Sequence, residues 1–209
     1  MENKLVKKEN KIKKYHEEKV ESSLENFDSK AKIILHLIPL EKKHIKPTSI
    51  QKLADSDLPF NTIYFTRKMS PPIMLPHNQP TQYIRCGNSG NSTYASYLIL
   101  RNCGCIESID AQLLSGNDGI IPTILLKERL TERIVEYCNI LEFLQVKPPI
   151  FIYLTLKDIN GKKLPNSYGK TKSPIKKNII HNWTKIESYK FDITLIDALL
   201  SEIITDLSQ

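Results

Sequence analysis

Between residues 157 and 190 the chain carries nine lysines against two acids, Asp158 and Glu187, together with the aromatic residues Tyr168, Trp183 and Tyr189. Ammonium groups neutralise phosphates and aromatic rings stack on unpaired bases, so this mixture fits single-stranded or sequence-independent nucleic-acid binding. The candidate contacts are Lys162, Lys163, Lys170, Lys172, Lys176, Lys177 and Trp183. A solvated surface loop fits the same residues. The chain has 25 lysines to 5 arginines and is rich in isoleucine and asparagine, as an AT-rich coding sequence would make it.

Other reactive side chains give weaker patterns. The histidines at 16, 36, 44, 77 and 181 never stand four apart in the way a helical metal site requires. His36 falls in an apolar run and reads as a core or sheet-face residue with its ring nitrogens satisfied. Cys103-Gly104-Cys105, with Cys86 and Cys138, could offer thiolates to zinc, but the chain has no C-x-x-C pair, and buried free thiols suit the pattern better. Glu128, Glu132 and Glu136 repeat every four residues with Arg129 and Arg133 beside them, the pattern of a solvated helix face. Phosphate-cradling G-x-x-x-x-G-K-[ST] and G-x-G-x-x-G loops are absent, as is the G-x-S-x-G elbow of acyl transfer. Glu107 and Asp110, with Lys127 or Arg101 nearby, are the acids that could hold Mg²⁺ for phosphoryl transfer if the fold brought them together.

The elements that must position these residues are legible from hydrophobic periodicity. The 209 residues suffice for one ordinary domain with its own core. With 40% hydrophobic and 25% charged residues, the chain is neither a collagen, nor wholly disordered, nor a multi-span membrane protein. Four cysteines are too few for a disulfide scaffold, and no signal segment is recognisable, so a cytoplasmic setting is expected. The net charge of +7 is carried entirely by residues 157–190, since the remainder sums to zero.

Residues 1–30 read as a polar helical segment, with Leu5, Ile12, Val20, Leu24 and Phe27 on an approximate helical beat. KIILHLIPL at 32–40 is a core strand, and TSIQKL at 48–53 a short helix capped by Ser or Thr after Pro47. Five prolines between 59 and 81 argue for loop, apart from a strand at 62–67. Strands at 82–85 and 94–101 flank a CGNSGNS turn, with a further strand within 105–113. Residues 123–145 form a long amphipathic helix, IFIYLTL at 150–156 a central strand, and residues 193–207 a closing amphipathic helix. The expected fold class is α+β, a mixed or antiparallel sheet packed against one long amphipathic helix with N- and C-terminal helices. Residues 31–209 form a single domain with a basic loop at about 157–190.

In series, KIILHLIPL (32–40), LILRNCGCIES (98–108), the helix at 123–145 and VKPPIFIYLTLKDINGKKL (146–164) resemble a region of bacterial proteins that carry a Schlafen-AlbA-type DNA-binding domain. That region follows the DNA-binding domain, and the resemblance covers about residues 10–165. It implies family-motif positions at His36, Arg101, Gly104 and Glu107, although Asn102 and Cys103 put one residue more between Arg and Gly than the pattern has. It also implies a companion module in regulation or phage defence, with the DNA-binding domain supplied by a separate subunit.

The expected function is therefore a non-enzymatic accessory or binding module. It would act with a protein partner, contact DNA or RNA through residues 157–190, need no cofactor or metal, and not enter a membrane. A metal-dependent nuclease built on Glu107 and Asp110 is the alternative. A second is an interaction protein that oligomerises through the long or the final helix.

Overall fold

The computed structural model describes residues 2–22, 27, 30–63, 73–74, 82–88, 94–115, 119–165, 174–190 and 192–207. Its order of elements is α1 (Glu2–Ser22), β1 (Lys32–Pro39), α2 (Pro47–Ala54), β2 (Ile73–Met74), β3 (Gln82–Asn88), β4 (Tyr94–Arg101), β5 (Ile106–Asp110), α3 (Thr123–Phe143), β6 (Ile150–Lys157), β7 (Ile179–Ile186) and α4 (Thr194–Asp206). The seven strands form one sheet in the order β2-β3-β4-β5-β1-β6-β7, antiparallel at every pairing. The class is α+β.

Each central strand sorts its side chains by the two-residue period of the pleat. Ile33, Leu35 and Leu37 of β1 join Ile150, Ile152, Leu154 and Leu156 of β6 in the main core, on what we term the inner face. Leu126, Leu130, Ile134, Tyr137 and Leu141 of α3 and Ile196, Leu199, Leu200 and Ile203 of α4 cover that face. Both apolar stripes are thus occupied by the chain's own sheet. The two helices are also tied to each other by Lys127 and Asp197, 3.2 Å apart. Tyr137, wholly buried, anchors α3 by donating its hydroxyl to the Asn61 carbonyl at 2.7 Å, with Ser108 Oγ at 3.0 Å.

The other face of the sheet, the outer face, is covered by α1 through Ile12, Tyr15, His16 and Val20. Ile12, His16 and Val20 stand four apart and so share one side of the helix, while most of the remaining residues of α1 are lysine and glutamate. The layers are therefore α3 and α4, then the sheet, then α1. This is the expected sheet with one long amphipathic helix and helices at both ends of the chain, α1 covering the face opposite α3 and α4.

Two local differences have physical causes. The helix at 48–53 is real, but it begins on Pro47, with Lys46 at the N-cap and no side-chain cap bond. Proline's fixed φ and missing N–H suit the first helical position. The stretch at 157–190 is not one loop: its last part contains β7, the outermost strand beside β6. The expected strand at 62–67 lies, from residue 64 on, outside the described residues. Among the described residues no helix is long and apolar enough to cross a membrane.

Candidate functional site

The pleat sends Tyr97 and Arg101 of β4, Glu107 of β5, His36 of β1, Tyr153 and Thr155 of β6, and His181 and Trp183 of β7 to the outer face. Register then sets them side by side. Glu107 is opposite His36, His36 opposite Tyr153, and Tyr153 opposite Trp183, so four strands contribute to one row. In the next row Thr155 is opposite His181. Over these rows α1 lowers His16.

A chain of hydrogen bonds runs through the buried part of this face. Glu107 Oε2 lies 3.2 Å from His36 Nε2, His36 Nδ1 lies 2.7 Å from His16 Nδ1, and His16 Nε2 lies 3.1 Å from Thr155 Oγ1. At its far end Glu107 also accepts the Tyr97 hydroxyl at 2.8 Å and Arg101 Nη2 at 3.3 and 3.4 Å. His16, His36, Glu107 and Thr155 are all at most 3% exposed.

Two facing Nδ1 atoms this close hold one proton between them, and with a neutral His16 and an ionised Glu107 two arrangements then satisfy every ring nitrogen. In one, His36 is an imidazolium that donates to both Glu107 and His16, and His16 donates to Thr155. In the other, His36 is neutral and donates to Glu107, His16 donates to His36, and Thr155 donates to His16. His16 is neutral in both. Burial, with a further lowering from the neighbouring His36 and His181, brings its pKa down to about 3. Burial pushes the Glu107 carboxyl up, but the hydrogen bond and charge of His36, with Arg101 and Tyr97, outweigh it and bring the pKa down to about 2. The hydrogen-bonded group therefore stores a carboxylate charge inside the protein.

The Thr155 end opens on a cleft of about 420 Å³ between α1 and the β6–β7 face. His16, Tyr153, Thr155, Ile179, His181 and Trp183 line it, together with the exposed Lys13, Glu17 and Glu21 of α1. Its wall is an aromatic ladder: Tyr153 stacks on His16 with ring centroids 4.5 Å apart and on Trp183 at 6.0 Å. Phe151 meets Trp183 at 5.8 Å. Trp183 is 47% exposed, so one face of its indole is open to a ligand. Burial raises the Tyr153 hydroxyl to about 12, which keeps it a neutral donor.

Of the candidate nucleic-acid contacts, Trp183 stands in this cleft. Lys162 and Lys163 are half-buried, Lys176 and Lys177 exposed, and all four belong to the connector that leaves the sheet after Lys157 and returns at Ile179. Lys157 and Ile179 are register partners and Ile179 lines the cleft, so the basic connector begins and ends at one end of it. Lys177 Nζ donates to the Asp206 carbonyl at 3.3 Å, on the α4 side. Lys170, Lys172 and Tyr168 lie outside the described residues. Tyr189 packs against the main core and donates to the Val146 carbonyl at 2.6 Å, so it is not a stacking platform.

His36, Arg101 and Glu107 meet in one hydrogen-bonded group, and Gly104 occupies the β4–β5 turn. There φ is +81°, and an added Cβ would come within 3.1 Å of Val146 Cγ2. Glu107 and Asp110 are not brought together. They are three apart on β5 and point to opposite faces. Asp110 Oδ1 instead accepts the Leu113 amide at 2.7 Å, and Lys127 sits on the far side with Asp197. Among the described residues no group of three or more His, Cys, Asp or Glu could hold a metal ion. On α3, Glu136 pairs with the buried Arg133, so part of the supposed solvated face is enclosed.

His16, Thr155, Tyr153 and His181 were not singled out as a site by the sequence. The available signal was the Ile12–His16–Val20 spacing, which sets a histidine in the middle of an otherwise apolar stripe. No family model matches the chain, and no curated protein and no solved structure matches it.

Proposed function

We propose that this protein is a binding module that takes up single-stranded nucleic acid in the cleft between α1 and the β6–β7 face. One base stacks on Trp183, and lysines of the 157–190 segment meet the neighbouring phosphates. The observation that carries this reading is the half-exposed indole of Trp183, already stacked on Tyr153, on a strand that emerges directly from the lysine-rich connector. Aromatic platforms on a sheet face accept any base, because every base has a π-face, and the phosphate charge supplies most of the affinity. Glu17 and Glu21 line the same cleft, which favours an uncharged base over a phosphate against that wall. A protein partner supplying a DNA-binding domain remains part of the proposal, and it rests on the resemblance alone.

Trp183 is the sole tryptophan, so intrinsic fluorescence reports the site without a label. Titration with short single-stranded DNA and RNA at increasing salt is expected to quench it. Affinity should fall by about 0.7 log units per log unit of salt for each phosphate neutralised. Replacing Lys176 with alanine should flatten that slope, and Trp183→Ala, followed by retention on immobilised polymer because it removes the fluorophore, should weaken binding by about 1–3 kcal/mol. No quenching and no retention on either polymer at low salt would remove this reading.

A further inference from the structure

The turn between β4 and β5 carries two thiols across one glycine, Cys103 and Cys105. It is held from both sides. Gly104 N donates to the Arg101 carbonyl and Arg101 N to the Cys105 carbonyl, each at 2.9 Å. Lys43 and Ile45, which follow β1, donate to the carbonyls of Cys103 at 3.3 Å and Asn102 at 2.7 Å. Cys103 packs against the small apolar cluster that contains Cys105, so the two side chains share one surround. Cys105 is buried among Ile12, Ile38 and Phe151, whereas Cys103 is half-exposed. Lys42 and Arg101 supply positive charge to the pair. Beside it, Lys8, Lys11, Tyr15, Glu41 and Lys42 line a second cavity of about 210 Å³, in which Lys8 is paired with Glu41.

We propose that Cys103 and Cys105 form a thiol–disulfide exchange site for a small disulfide bearing carboxylates, with Cys103 as the attacking sulfur and Cys105 as the resolving one. Cys103 thiolate attacks one sulfur of the substrate, whose S–S bond breaks, and the first thiolate leaves and takes a proton from water. Cys105 then attacks Cys103 Sγ, expelling the second thiolate, which takes the Cys105 proton. The protein dithiol loses two electrons to the disulfide and ends as a Cys103–Cys105 disulfide. The lysines of the adjoining cavity are the complement to the carboxylates.

The electrostatics divide the two roles. The hydrogen bond from Cys105 and the nearby Lys42 and Arg101 outweigh burial and bring the Cys103 thiol down to about 6, so it is largely thiolate at neutral pH. The same contact, with burial, pushes Cys105 up and keeps its proton until Cys103 has reacted. Tyr15 and Glu107, the acidic groups facing the pair, do not share its proton: Tyr15 is pushed up by burial and Glu107 is already a carboxylate.

The test uses the full chain and oxidised glutathione. Intact mass should show the loss of two hydrogens, and non-reducing peptide mapping should join Cys103 to Cys105. Cys105→Ser should arrest the reaction with glutathione retained on Cys103, and Cys103→Ser should leave the protein unreacted. Without any variant, iodoacetamide should label Cys103 faster than Cys138 by at least about an order of magnitude at neutral pH, with a midpoint near 6. Cys138 is the internal standard, since burial raises it to about 12. Equal labelling of the two thiols, or an unchanged mass after prolonged excess disulfide, overturns the proposal.

Discussion

The hydrogen-bonded chain from Glu107 to Thr155 ties stability to pH through two residues acting in the same direction. His16 has an ordinary value of 6.5 and titrates at about 3 in the folded protein, so between those values the unfolded chain binds a proton that the native state does not. Glu107, ordinarily at 4.5 and here at about 2, behaves alike over its own interval. A state that binds fewer protons gains relative stability as pH rises. Stability should therefore fall as the solution is acidified below about 6.5, and fall more steeply below about 4.5, by up to about 1.4 kcal/mol per pH unit for each titrating group. Urea unfolding at a series of pH values checks this. His16→Gln should remove the upper part of the dependence and leave the lower, whereas Glu107→Gln should do the reverse and also cost about 3 kcal/mol at neutral pH, because Arg101 loses its partner. A flat profile in the wild-type protein between pH 6.5 and 4.5 would contradict this account of His16.

At the scale of elements, α1 is the exception among the helices. Whereas α3 and α4 share the main core, α1 is held by one buried stripe whose middle member is a histidine. Ile12→Ala should cost about 2 kcal/mol and act locally. Amide exchange in α1 should accelerate while that of β1 and β6 stays unchanged, and His16 and Tyr153 should become more accessible. β1, β6, α3 and α4 could be read from the sequence because each is an uninterrupted run with one clear period. β7 could not: IIHNWTKI has polar residues on both faces, as the outermost strand of a sheet does, and it is embedded among lysines. The site was less legible than the fold. His36 and Glu107 are 71 residues apart, and His16 and Thr155 are 139 apart, so only strand register and the seating of α1 bring them together. Trp183 was recognisable from the sequence as a candidate stacking residue; its exposure and its stacking on Tyr153 were not.

For the molecule as a whole, the strand order places β5 in the middle of the sheet, flanked by β4 and β1, with β7 at one end and β2 at the other. Amides of β5 and β1 should exchange at the rate set by global unfolding, and those of β7 and β2 earlier, since each is an edge strand. Hydrogen-exchange mass spectrometry decides this, and equal protection across all strands would contradict it. The topology also bears on synthesis. β1 leaves the ribosome before both of its neighbours, β5 and β6, the second of them more than a hundred residues later. At about 5–20 residues per second this strand waits several seconds with its amides unsatisfied. During that interval the nascent polypeptide displays KIILHLIP, a sticky β-former with an open side, and whatever shields it then governs how much of the protein reaches the cell intact.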